Sequence, residues 1–326
     1  MMKKVLLSFL LILFSILNSF SQTALDTIAL DLNPALFKKD FSSYDRQTAI
    51  YCAQLAEVAY WDPSEIEILI TKLNTLYPNY NHRFEFVEDK KSGTQLIFFG
   101  TNEYMVIAFR GTEFTKEFKD IVLDAKFFRY YQETGYSNLP SGHGGFRRSI
   151  INLIDDEHIF DKLRAFQNTC NVKNEPNFPV YTTGHSLGAA LATLIIEPLY
   201  TEQFHFSGCY NFAPPLVIDK TETPALSAKY NLIVYDIVNY LDYVPRAGKS
   251  SRKYLGRIGK FYRICESGFI NDEDEKRNGK YVGHRWRTKF KLYKFHKLKG
   301  YLDGLKNPNN TNEAIIGRKA KGIRCF

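Results

Sequence analysis

No run of about 20 consecutive apolar residues occurs in the 326-residue chain, so no segment reads as a bilayer-spanning helix. Residues 5–17 form a thirteen-residue, mostly apolar run. Lys3 and Lys4 precede it and Ser19, Phe20 and Ser21 follow it, the pattern of a cleavable export signal ending after Ser21. No cysteine lies near that boundary, which argues against lipid attachment there. The expectation is therefore an exported protein, secreted or periplasmic. Neither a C-x-x-C pair nor a His-rich spacing occurs, which leaves no basis for a metal site. The five cysteines, Cys52, Cys170, Cys209, Cys265 and Cys325, are an odd number, so at least one thiol stays unpaired after export. Cys209 sits in the apolar run FSGCYNFA and is expected in the core. There is no internal repeat, no linker long enough to divide the chain and no nucleic-acid-binding motif. One folded domain over 46–305 is the simplest account, preceded by an irregular lead-in (22–45) and followed by a basic tail (306–326).

What is present is globular: 44% hydrophobic, 24% charged and 15% aromatic residues. The aromatics imply a large core, a greasy ligand cleft, or both. Charge is unevenly spread. From Arg246 onward there are 22 Lys and Arg against 7 Asp and Glu, a net of +15; the whole chain is +8, so the first 245 residues carry −7. Such a basic run is either a solvated face or a surface attracted to anionic lipid headgroups or polyanions.

Periodicity predicts helices over 45–60 and from Asp62-Pro63-Ser64-Glu65 to about residue 76, the latter with an Asp cap and proline in the first turn. HRFEFVED, TQLIFFG and YMVIAFRG read as three strands of an antiparallel meander leading into a central strand, Met105–Phe109. Residues 113–141 show no strong period. Helix is expected over 146–170 with a break near Asp155-Asp156, and strands over 209–215, 231–240 and 259–266. The near-continuous apolar run NLIVYDIVNY is what a parallel strand covered on both faces requires. A final helix is expected over 297–305. Strands alternating with helices imply an α/β fold, a central mostly parallel sheet flanked by helices.

The segment PVYTTGHSLGAALATLII holds the strongest chemical signal. Val180, Tyr181, Thr182 and Thr183 favour a strand. The small-residue run from Leu187 reads as a helix. Between them Gly184-His185-Ser186-Leu187-Gly188 matches G-x-S-x-G, in which a serine occupies a strained strand-to-helix turn and projects its Oγ. Ser186 is the candidate nucleophile, and the N–H of Leu187, at the helix start, can face a developing negative charge. The other oxyanion donor should follow an earlier central strand; Arg110-Gly111-Thr112 lies at such a place, and Thr112 offers an N–H and a hydroxyl.

A serine nucleophile needs a base, and the base an orienting acid, in the chain order Ser, Asp or Glu, His for the α/β hydrolases. Asp242 follows the strand ending at Tyr240, and Val244-Pro245 stops that strand. Asp236 lies inside the strand and should face a helix interface, whereas Asp272 and Asp274 belong to a charged run, NDEDEKR. Asp242 is thus the expected acid. Two histidines, His284 and His296, follow every plausible acid. His284 has Arg285 and Arg287 beside it, and nearby positive charge disfavours imidazolium; His296, flanked by Lys294 and Lys297, immediately precedes the last helix and is the expected base.

Six segments in this order resemble the fungal-type triacylglycerol lipases, or class 3 lipases: VIAFRGT (106–112), HGGF (143–146), TGHSLGAALA (183–192), YNFAPP (210–215), NYLDYVPR (239–246) and HKLKGYL (296–302). The resemblance implies an α/β-hydrolase fold, a triad of Ser186, Asp242 and His296, and an oxyanion hole at Thr112 and Leu187. It further implies that His143 is structural, that no cofactor is needed, and that the substrate is a lipid or other ester: acylglycerols or phospholipids, with plant-wall aromatic esters or an inactive lipid-binding module as alternatives. The segment after Thr112 corresponds to the family's lid. Here EFTKEFKDIVLDAKFFRYY keeps Asp120 and Asp124 without the period of an amphipathic helix.

Overall fold

A computed structural model of the chain describes residues 30–111, 139–230, 233–239, 242, 244–246, 255–256, 258, 260–264 and 296–306. The segment read as an export signal, most of the basic region, the segment after Thr112 that the resemblance likens to a lid, Thr112, Asp120, Asp124, Asp272, Asp274, His284, Cys265 and Cys325 lie outside the described residues.

Helix α1 (Arg46–Val58) is capped by Asp45, whose Oδ1 accepts from the Thr48 N–H at 2.7 Å. Helix α2 (Pro63–Leu76) opens at Asp62-Pro63, and the Asp62 N–H donates to Glu65 Oε2 at 3.0 Å, half of a capping box. Strands β1 (Arg83–Asp89), β2 (Thr94–Gly100) and β3 (Met105–Phe109) form the antiparallel meander. Helices α3 (Gly144–Asp155) and α4 (Ile159–Cys170) follow, separated near the Asp155-Asp156 pair. Strand β4 (Val180–His185) pairs parallel with β3 and leads into α5 (Leu187–Leu194) and α6 (Ile196–Thr201). The rest comprises β5 (Phe206–Phe212), β6 (Ile218–Asp219), α7 (Thr223–Tyr230), β7 (Val234–Asn239), a 3-10 turn at Val244–Arg246, β8 (Leu255–Gly256), β9 (Lys260–Ile264) and α8 (Leu298–Lys306).

The seven-stranded sheet runs β1-β2-β3-β4-β5-β7-β9, parallel from β3 onward, and β6 pairs with β8 apart from it. Alternation along the strands sends side chains to two cores. Phe98, Ile107 and Phe109 face the side covered by α3 to α6, whereas Ile97, Phe99, Val106 and Ala108 face α1, α2 and α8. With both faces covered, β3, β4 and β7 are buried at every position.

The segment read as a lead-in packs into this second core. Phe37 stacks on Tyr104 (centroids 4.3 Å apart), and Phe41 sits against Tyr181 and Tyr210 at 4.7 and 4.9 Å. Tyrosines of three adjacent strands bind its backbone: Tyr181 donates to the Lys39 carbonyl (2.5 Å), Tyr235 to that of Phe41 (2.6 Å) and Tyr210 to that of Asp45 (3.2 Å). Much of the aromatic content is thus spent on the core.

His82 is buried just before β1. Its N–H donates to Asn74 Oδ1 at 2.6 Å, and the Asn74 amide donates to its carbonyl at 3.0 Å. Burial lowers its pKa from 6.5 to about 4. Between those values the unfolded chain binds a proton that the folded chain does not, so this contribution to stability is present above pH 6.5 and is lost as pH falls toward 4. His82→Phe keeps a ring against Phe99 and is expected to flatten that part of the stability–pH curve. Urea titrations across the window check it; an unchanged slope contradicts it.

Candidate active site

The nucleophile turn follows from small residues at contact points. A Cβ on Gly184 would overlap the backbone of Gly188, and one on Gly188 would overlap the Phe109 carbonyl, so both glycines let α5 lie directly on β3 and β4. Ser186, between them, has φ 59° and ψ −122°. A non-glycine residue there costs about 1–3 kcal/mol of backbone strain, a cost met mostly at functional sites. Hydrogen bonds hold the turn: the Ser186 N–H donates to the Phe212 carbonyl (2.9 Å), and its carbonyl accepts from Ala189 (3.1 Å) and Ala190 (3.3 Å). Leu187 is the first residue of α5, where helix geometry leaves the N–H without an intrahelical acceptor.

Ser186 Oγ lies 2.8 Å from His296 Nε2, and His296 Nδ1 lies 2.7 Å from Asp242 Oδ2. All three side chains are buried. They come from the ends of three elements: the β4–α5 turn, the segment after β7, and the residues before α8. Asp242 Oδ1 accepts from the Val244 N–H at 2.9 Å, and Oδ2 also accepts from the Tyr301 hydroxyl at 2.6 Å. These donors fix the carboxylate so that one oxygen meets the imidazole. Bound to Asp242, Nδ1 carries the hydrogen, and Nε2 is left to accept the Ser186 hydroxyl proton.

The other sequence candidates separate cleanly. Asp236 is mid-strand in β7 and accepts from Asn211 Nδ2 (3.1 Å), which also bonds Thr193 Oγ1 of α5 (2.9 Å); it faces a helix interface and not the serine. His143 caps α3, its Nδ1 accepting from the Phe146 N–H at 3.4 Å, with its ring stacked on Phe146. Cys209, Cys52 and Cys170 are buried free thiols, and burial raises the pKa of each. Gly111 brings β3's outgoing loop against Tyr60 and the His185 carbonyl, next to the serine turn; Thr112 itself is outside the described residues.

Two contributors escaped the sequence reading. Tyr301 has its signal in HKLKGYL, five positions after His296 and close to one helical turn into α8, a spacing that returns its hydroxyl to Asp242. His185 stands at the variable position of G-x-S-x-G, and its ring lies 4.8 Å from that of His296.

Residues 106–251, just under half of the chain, match the family described as lipase (class 3). No curated protein matches the chain. Among solved structures, it is similar to a mutant form of MDLA from Penicillium cyclopium (19% identity over 79% of this chain and 97% of that chain, TM-score 0.54). It is also similar to lipase II from Rhizopus niveus (18% identity, 68% of this chain and 81% of that, TM-score 0.51). A fungal lipase at 25% identity is covered over 64% of its length, with 57% of this chain aligned and a TM-score of 0.45. Residues 106–251 are thus similar to the class 3 lipases, and the chain shares the α/β-hydrolase fold of these solved structures.

Proposed function

We propose that the chain is an exported serine hydrolase that cleaves the esters of acylglycerols or phospholipids through an acyl-enzyme on Ser186. One observation carries the reading: the continuous hydrogen-bonded path from Ser186 Oγ through His296 to Asp242, at 2.8 and 2.7 Å. His296 Nε2 takes the hydroxyl proton as Oγ attacks the ester carbonyl, and Asp242 stabilises the resulting imidazolium. The N–H of Leu187 and a donor from Thr112 face the oxyanion. The protonated His296 then gives its proton to the departing alcohol. Water, activated by the same nitrogen, hydrolyses the acyl-enzyme and restores the serine. Beyond the ester and water, every step uses groups of this chain. A complete and connected triad favours this over an inactive lipid-binding module.

Export rests on the signal-like residues 1–21, and no helix among the described residues is long and apolar enough to cross a membrane. The basic C-terminal region, with Lys297 and Lys299 exposed in its described part, is proposed to draw the enzyme to anionic interfaces. Each such residue near an anionic surface contributes about 1 kcal/mol within a Debye length of about 8 Å.

The substrate class is tested with p-nitrophenyl esters of increasing chain length, triolein emulsions, and neutral and anionic phospholipid vesicles at two salt concentrations. The expected result is lipid-ester hydrolysis, with faster, salt-sensitive turnover on the anionic vesicles and salt-insensitive turnover on short soluble esters. Hydrolysis confined to aromatic esters would replace the lipid substrate with a wall-ester one. Equal rates on both vesicle types would make the basic run a plain solvated face.

A further inference from the structure

The base is held at both ends, and its backbone end is held by His185. His185 Nε2 lies 2.7 Å from the His296 carbonyl oxygen. A carbonyl only accepts, so Nε2 carries the hydrogen, and Nδ1 presents a lone pair to the Tyr60 hydroxyl at 3.3 Å. The ring is 1% exposed, and burial, reinforced by His296 nearby, holds its pKa well below the usual histidine range. It therefore stays neutral, in the tautomer that donates to His296.

Its neighbours belong to each working part of the site. Tyr301, which holds Asp242, meets the His185 ring edge-on at 5.9 Å. The Tyr60 hydroxyl and the His185 carbonyl both close on Gly111, where an added Cβ would overlap them, so the two residues also bound the loop leading to Thr112. The Arg110 guanidinium lies over the Tyr60 ring at 5.6 Å. His185 is one peptide bond from the nucleophile, so a hydrogen bond from its ring sets the distance between the residue bearing Oγ and the residue bearing the base.

We infer that His185 is a positioning residue for the general base, setting the Ser186–His296 distance through its hydrogen bond to the His296 backbone; this rests on the triad reading above. His185 touches no substrate and exchanges no proton. Its effect is geometric: a displacement of about 1 Å in a reacting pair costs on the order of 10²-fold in rate. That loss is expected in kcat, because the change alters the Ser186–His296 geometry and removes no group that contacts the ester.

Glutamine and asparagine separate this role from simple packing. The glutamine amide nitrogen reaches the place of the imidazole Nε2, whereas the asparagine amide reaches only that of Nδ1. Full-length His185→Asn and His185→Gln are assayed on a short p-nitrophenyl ester, with folded fraction and Tm from circular dichroism and Ser186→Ala alongside. His185→Asn is expected to lose about 10²-fold in kcat with KM changed less than about threefold, and His185→Gln to recover to within about fivefold of the parent. Equal losses in both variants, near-normal turnover of His185→Asn, a loss confined to KM, or an Asn variant that fails to fold beside a fully active Gln variant would each overturn the inference. In all of those outcomes Ser186→Ala stays inactive. An active Ser186→Ala would instead reject the triad reading itself.

Discussion

Replacing Ser186 with alanine is expected to abolish ester hydrolysis, with a loss of about 10⁴-fold or more in kcat, while the protein stays folded. Members of a triad act as a unit, so losing the nucleophile removes the covalent route and leaves only what binding and oxyanion stabilisation supply. Alanine should not harm the fold. Its Cβ occupies the place of the serine's, and the turn is held by the backbone: residue 186 donates to the Phe212 carbonyl and accepts from Ala189 and Ala190. Kinetics on a short ester, beside a thermal melt, check both halves. An alanine variant with near-normal turnover sinks the nucleophile assignment.

His296→Ala is expected to be as damaging as the serine change, and Asp242→Asn to cost about 10⁴-fold. With asparagine at 242, an amide can face Nδ1 as a donor, which favours the tautomer with hydrogen on Nε2, the atom that must accept from Ser186 at 2.8 Å. The Tyr301 hydroxyl and the Val244 N–H, which donate to the two carboxylate oxygens at 2.6 and 2.9 Å, would then compete for the one remaining oxygen. His284→Ala should cost less than about tenfold. Were the two histidine variants to behave the other way round, the base would be His284.

The serine turn was legible because its cause is local. Glycines at 184 and 188 and a β-prone run before a small-residue run are sequence facts, and the close approach of α5 to β3 and β4 follows from them. Asp242 and His296 were reachable through chain order and through the elements they follow or precede. The contacts that refine the site were not, because they join distant positions. His185 and His296 are 111 residues apart, and Tyr301 meets Asp242 across 59. Phe37 and Phe41, isolated aromatics in a stretch without period, acquire meaning only once Tyr181, Tyr210 and Tyr235 stand side by side on three strands. Helix α7 was missed because it buries only Thr223 and Tyr230, too few positions to leave a period. The two-residue strands β6 and β8 are too short to leave one.

The most direct test of the account is the site of covalent capture. Full-length protein is treated with a fluorophosphonate, digested, and its adduct located by peptide mass spectrometry, with His296→Ala treated in parallel. The account predicts one phosphonyl group per molecule, on Ser186, formed far more slowly when His296 is absent. An adduct on another residue, or equal labelling rates in the two proteins, would contradict it.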